Sequence, residues 1–150
     1  MRGRGGFGKG FGKGRGMGFG RGLAPISAMP PPIPPIPDTM RVATATIDNR
    51  GLESIISPRF ARAPYIVLID IRNGSIVNTH VIPNPVVSAP SGAGVAIAQW
   101  LISCGVKKVI ATNIGYNAYE ILKQAGISIH TIQPGIRVID ALRFLGLVKG

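Results

Sequence analysis

Tyr65-Ile66-Val67-Leu68-Ile69-Asp70-Ile71-Arg72-Asn73-Gly74-Ser75-Ile76-Val77-Asn78-Thr79-His80-Val81-Ile82 is the stretch that decides the fold. A β-branched apolar run ends in Arg72-Asn73-Gly74-Ser75, and a second run begins at once. Asn-Gly is the strongest short hairpin signal, because a two-residue type I′ turn needs positive φ at both central positions. Two antiparallel strands, Tyr65 to Ile71 and Ser75 to Ile82, are thereby tied together, and prolines at 83, 85 and 90 close the second.

Before the hairpin, Arg41 to Ile47 alternates as a further strand. After it the period changes, predicting a helix over Ala93 to Ser103, a strand over Val109 to Thr112, a helix over Asn117 to Ala125, a strand over Ile127 to Ile132 and a helix over Arg137 to Leu145. The order βββαβαβα predicts an α/β fold: a five-stranded mixed sheet in spatial order 3-2-1-4-5, with strand 2 antiparallel and three helices. Strands 1, 3, 4 and 5 then run the same way. Loops 48–62, 83–94, 112–117 and 133–137 meet at their carboxyl edge, where open α/β sheets bind ligands.

Composition divides the chain. Of 150 residues, 21 are glycine and 13 proline, concentrated in the first 37 positions. Residues 1–29 read as a Gly/Arg/Lys/Phe-rich tail that buries too little to offset its ordering entropy, and so as disordered. Residues 30–39 (Pro-Pro-Pro-Ile-Pro-Pro-Ile-Pro at 30–37) read as a polyproline spacer holding the tail away from the domain, residues 40–150. The net charge of +11 splits into +5 over residues 1–40 (six Lys/Arg, one Asp) and +6 over 41–150 (eleven Lys/Arg, five carboxylates). Both parts attract anions. A single cysteine, Cys104, fits a reducing compartment, and neither a signal-peptide run nor an apolar stretch of the ~20 residues that span a bilayer is present. A cytoplasmic protein without membrane contact is expected.

Ser91-Gly92-Ala93-Gly94 opens the first helix, with Ser91 as its expected cap and glycines that let a ligand approach backbone N–H groups. Asn113-Ile114-Gly115-Tyr116-Asn117-Ala118 opens the second in the same way, and Arg59 and Arg62 supply positive charge from the first loop. Each glycine pair alone is ordinary turn-and-cap chemistry; their convergence at one edge makes an anion seat.

These residues carry a resemblance. Ser57-Pro58-Arg59-Phe60-Ala61-Arg62-Ala63-Pro64-Tyr65, then Ser91 to Gly94, Asn113 to Ala118 and Gly126-Ile127, in that order and spacing, resemble the dinitrogenase iron-molybdenum cofactor biosynthesis family of NifX type. The likeness covers residues 41–150. It implies a ribonuclease-H-like fold without nuclease activity and a carrier or scaffold of iron-sulfur or iron-molybdenum cofactor precursors, with cofactor-assembly proteins as partners. The cofactor contacts it implies are Ser57, Arg59, Phe60, Arg62, Ser91, Gly92, Gly94, Asn113, Gly115 and Asn117. The chain departs from the family at Ala61, commonly glycine, and at Ser91, often histidine.

Without that histidine, soft ligands are scarce. Cys104 ends the first helix at the opposite edge and reads as a buried thiol, and His130 lies within the last strand. His80 is the one imidazole expected near the site, and one imidazole falls short of the three or four N/S ligands of a soft-metal centre. A metal nuclease is excluded by scattered carboxylates: only Asp48 and Glu53 fall near the site, and local pairing with arginine explains them. With no Ser-His-Asp or Cys-His arrangement either, a non-enzymatic binding module is expected. The alternative is a nucleic-acid-associated protein using tail cations Arg2, Arg4, Lys9, Lys13, Arg15 and Arg21. Trp100, on an almost wholly apolar helix, packs in the core or against a second copy in a homodimer.

Overall fold

A computed structural model describes residues 28–149. Five strands form one sheet: β1 (Met40–Thr46), β2 (Tyr65–Arg72), β3 (Ser75–Pro83), β4 (Val106–Ala111) and β5 (Ser128–Thr131). Three helices, α1 (Ala93–Ser103), α2 (Tyr116–Gln124) and α3 (Val138–Phe144), follow β3, β4 and β5. The spatial order is β3-β2-β1-β4-β5, with β2 antiparallel to both neighbours and β1, β4 and β5 parallel, as the sequence predicts.

The hairpin turns on Asn73 at φ 53 and Gly74 at φ 77, the type I′ geometry that pairs Arg72 with Ser75. β4 begins three residues before its predicted start. Lys107 and Lys108 obscure it in the sequence, but Val106 is buried while Lys107 points out, so the alternation extends over them.

Alternate residues of the strands feed two cores. Ala43, Ala45, Ile66, Leu68 and Val109 pack under α1 and α2 with Ile97, Trp100, Leu101 and Leu122. Val42, Val67, Ile69, Ile71 and Ile110 pack under α3 with Val138 and Leu142. Helices thus cover both faces of the sheet, and the starts of α1 and α2 lie side by side at its carboxyl edge.

The proline-rich segment is not the detached spacer its composition predicts. Met29 is buried in the α1/α2 core with Ile33 packed against it, and the indole Nε1 of Trp100 donates to Pro30 O at 2.7 Å. Arg41 closes this strap from beneath. Its Nε and Nη2 donate to Asp70 at 2.7 and 3.0 Å, its Nη1 to the carbonyls of Ile33 and Cys104, and its Nη2 also to Pro34 O. Arg41 and Asp70 are fully buried, and every guanidinium N–H has an acceptor, which is what makes a buried charge tolerable. Composition could not reveal the strap, because its partners lie more than 60 residues away in sequence at Trp100 and Cys104. The tail to residue 27 lies outside the described residues.

Candidate functional site

A trough runs along the carboxyl edge between the first turns of α1 and α2. One part, about 250 Å³, is lined by Phe60, Ala61, Gly92, Gly94, Val95, Gly115, Tyr116, Asn117 and Ala118. The adjoining part, about 220 Å³, shares Phe60, Ala61 and Gly115 and adds Arg59, Arg62 and Asn113.

At both helix starts the cap position is a glycine, Gly92 and Gly115, with no side chain of its own to offer. The first bonds within the helices run from Ala96 N to Gly92 O and from Tyr119 N to Gly115 O. The N–H groups of Ala93 to Val95 and Tyr116 to Ala118 therefore precede the helical ladder, where helix starts concentrate partial positive charge. Two such starts border one trough. The cap position of α1 is Gly92, in the left-handed region at φ 78, not the expected Ser91, which stands one residue earlier. Gly94 sets the spacing: a Cβ there would lie 3.3 Å from Ala118 Cβ and 3.7 Å from Ala61 Cβ, so the absent side chain lets α1 approach both α2 and the Phe60 loop.

Loop 57–65 is held in place from three directions. Ser57 N donates to Ala45 O at 2.8 Å, and the Ser57 hydroxyl accepts from Arg59 N at 3.1 Å. Phe60 N donates to Asn113 O at 3.0 Å, joining the loop to the α2 approach. Asn84, buried, donates from Nδ2 to the carbonyls of Ala61 and Ala63 at 3.1 and 2.8 Å and accepts from Val86 N. Arg62 spans the same two loops, donating to Val87 O at 2.9 Å and Ala89 O at 2.6 Å.

The predicted residues thus separate into roles. Phe60, Gly92, Gly94, Asn113, Gly115, Asn117, Arg59 and Arg62 line the trough; Ser57 and Ser91 do not. Arg59 is exposed, whereas Arg62 is half-buried and committed to carbonyls. Ser57 is a turn residue, nearly buried beneath the loop. Sequence reasoning omitted Val95 and Asn84, and gave Tyr116 only as part of the second helix start. Tyr116, 75% exposed at the rim, was signalled by its place between Gly115 and Asn117; Asn84, alone among prolines, carries no sequence signal.

His80 is not brought to the trough. β3 is the outer strand, with β2 and β1 between it and β4, and His80 pairs there with Leu68; its Nε2 is 3.1 Å from Asn78 Nδ2 and 3.9 Å from Asp70 Oδ2. Among the described residues no three His, Cys, Asp or Glu side chains gather as a metal site. Cys104 is fully buried at the opposite edge, and burial raises its thiol pKa. The loop acids do pair locally, but with arginines other than those of the trough: Asp48 with Arg50 at 3.0 Å, and Glu53 with Arg137, which also holds Asp140 at 2.8 Å. Hydrogen bonding by Ser54 above all, then Arg50, holds the Asp48 carboxyl below its ordinary range against the effect of burial. Arg59 therefore keeps its charge for the trough.

A larger cleft of about 520 Å³, lined by Thr131, Ile132, Gln133, Ile136 and Phe144, opens at the end of β5 beside α3. Its walls are mainly apolar and α3 points no first turn into it, so it lacks the donors that converge on the trough. Among the described residues no helix is long and apolar enough to cross a membrane.

Comparison with known proteins bears on the family and the fold. Residues 40–146 match the family model described as dinitrogenase iron-molybdenum cofactor. An uncharacterized protein of Methanocaldococcus jannaschii is 33% identical over 91 residues, which cover 61% of this chain and 73% of that protein. The apo form of the orange protein from Desulfovibrio gigas superposes with a TM-score of 0.63 at 29% identity, covering 73% of this chain and 91% of that one. A Thermotoga protein provisionally named NifB superposes with a TM-score of 0.59 at 36% identity, covering 71% and 87%.

Proposed function

Because the chain belongs to the dinitrogenase iron-molybdenum cofactor family, we propose that it is a non-enzymatic module that holds an anionic iron-sulfur or iron-molybdenum cofactor precursor in the trough between α1 and α2. The observation that carries this reading is the meeting of two glycine-led helix starts over Phe60 and Ala61, with Arg59 exposed beside them. Such a site offers N–H donors and fixed partial charge to an anion. It offers no soft ligand set, so the protein contacts the outer anionic atoms of its cargo and leaves the metal's own ligands in place. That is the chemistry of a carrier, which must release what it holds, and its partners on this reading are cofactor-assembly proteins.

The test is elemental analysis of anaerobically purified full-length protein and of the Arg59→Ala variant after incubation with a supplied cofactor precursor. Iron or molybdenum retained by the parent and largely lost from the variant supports the reading. Equal retention by both would refute a role for Arg59.

The basic glycine-rich sequence before residue 28 favours a second reading, nucleic-acid association through Arg2, Arg4, Lys9, Lys13, Arg15 and Arg21, all outside the described residues. Deleting residues 1–27 spares the strap; deletion to residue 37 would strip it from Trp100 and Arg41. Salt-sensitive oligonucleotide binding that disappears on the shorter deletion supports this reading, and binding that survives both the deletion and high salt contradicts it.

A further inference from the structure

The strap lies against the domain between Trp100, Arg41, Arg72 and Gly105. Across positions 30–37 its backbone is gripped at regular intervals by side chains of the domain. Trp100 Nε1 donates to Pro30 O at 2.7 Å, Arg41 to Ile33 O and Pro34 O, and Arg72 Nη2 to Pro37 O at 2.8 Å. The strap answers once, from Ile33 N to Cys104 Sγ at 3.4 Å. The ring of Pro35 sits where a side chain on Gly105 would be, 2.9 Å from the position of its absent Cβ. An aromatic N–H and guanidinium donors aimed at the carbonyls of an extended proline-rich peptide are how polyproline II segments are recognised by dedicated domains, since such a segment has no internal hydrogen bonds and little entropy to lose.

Only Asp38 and Thr39 separate this segment from β1, and Asp38 holds φ 63 in the turn, in the left-handed region that side chains disfavour. Thr39 Oγ1 donates to Ile36 O at 2.6 Å across the turn. We propose that the groove is a polyproline-peptide site whose second occupant is the strap of another copy of this chain, so that two chains exchange straps when the turn opens. Exchange reproduces the strap's contacts with Trp100, Arg41, Arg72, Cys104 and Gly105, opens the turn that the Thr39–Ile36 bond closes, and relieves the Asp38 backbone; the short strained hinge is the feature that favours swapping. At low concentration the tethered strap wins because it is already local. This does not rest on the cofactor reading, since the groove lies at the opposite edge of the sheet.

The full-length Ile33→Cys variant tests it, because residue 33 lies against Cys104. The reduced protein is unfolded, refolded over a range of protein concentrations and oxidised, then run on denaturing gels without reductant beside the parent chain. The parent, with only the buried Cys104, identifies any Cys104–Cys104 dimer. A closed strap gives an intrachain bond and a monomer; an exchanged strap gives a covalent dimer whose fraction rises with concentration. Asp38→Pro, which cannot adopt φ 63, should raise the dimer fraction severalfold, and light scattering on Asp38→Pro without the added cysteine reads the same shift as a doubled mass. An intrachain bond or no bond at every concentration, with Asp38→Pro monomeric throughout, overturns the proposal.

Discussion

Arg59 and Arg62 stand three positions apart on one loop and were indistinguishable in the sequence, yet they do different work. Arg62 bonds two carbonyls of the neighbouring loop, whereas Arg59 keeps an exposed guanidinium. Arg62→Ala should therefore cost roughly 1–3 kcal/mol of stability, the range for hydrogen bonds to a charged group, and lower anion affinity as a consequence. Arg59→Ala should weaken anion binding and its salt dependence while leaving the urea midpoint unchanged; parallel urea unfolding and binding titrations check both. At Gly94 the added methyl of Gly94→Ala meets Ala118 at 3.3 Å, so α1 and α2 must part slightly and the trough narrow; weaker anion binding is expected in titrations, while the helix-propensity gain of about 0.5–1 kcal/mol offsets the crowding in thermal unfolding. The glycines that open α1 and α2 were legible because glycines before a helix have a known backbone use. Side-chain direction was not: Ser57 turned under its loop, and His80 faced Asp70, because both depend on strands and turns that local sequence does not describe.

The hairpin was legible at the scale of elements because Asn73-Gly74 states its own geometry. The strap was not, since proline content describes an extended backbone without saying what it lies against. Arg41 joins the two: it leaves β1 beside Asp70 of β2 and reaches the strap carbonyls. Arg41→Met should destabilise by about 3–5 kcal/mol, because it leaves a fully buried carboxylate without its partner. The double variant Arg41→Met, Asp70→Leu should recover part of that loss, as a well-packed apolar pair often does. Urea unfolding of the three chains decides; a double variant no better than the single one would mean that the loss lies in the strap contacts and not in the stranded charge.

Across the described residues, Asp48, Glu53, Asp70 and Asp140 pair with Arg50, Arg137 and Arg41, which leaves Arg59 beside the trough without a carboxylate partner. Asp140 is held below its ordinary range, chiefly by its hydrogen bond to Arg137, and Asp48 lies low for the reasons given above. A carboxyl whose folded pKa is depressed contributes stability that is present above its unfolded value, here 3.8, and is lost as pH falls through the folded one. The parent should therefore lose stability below about pH 4, and Arg137→Gln should show a smaller difference in urea midpoint between pH 7 and pH 3. The fold class and sheet order were readable because they follow from the order of periodic segments. The closeness of the two helix starts was readable only as convergence of loops, and its scale depends on Gly94.

The central claim is that an anion sits at those two helix starts. Amide chemical shifts of the isotopically labelled full chain, followed during titration with molybdate, test it most directly. Saturable shifts concentrated at Ala93 to Val95 and Tyr116 to Ala118, weakened in Arg59→Ala, are expected. Shifts confined to Arg50, Arg137 or the cleft beside α3, or none at all, would contradict it.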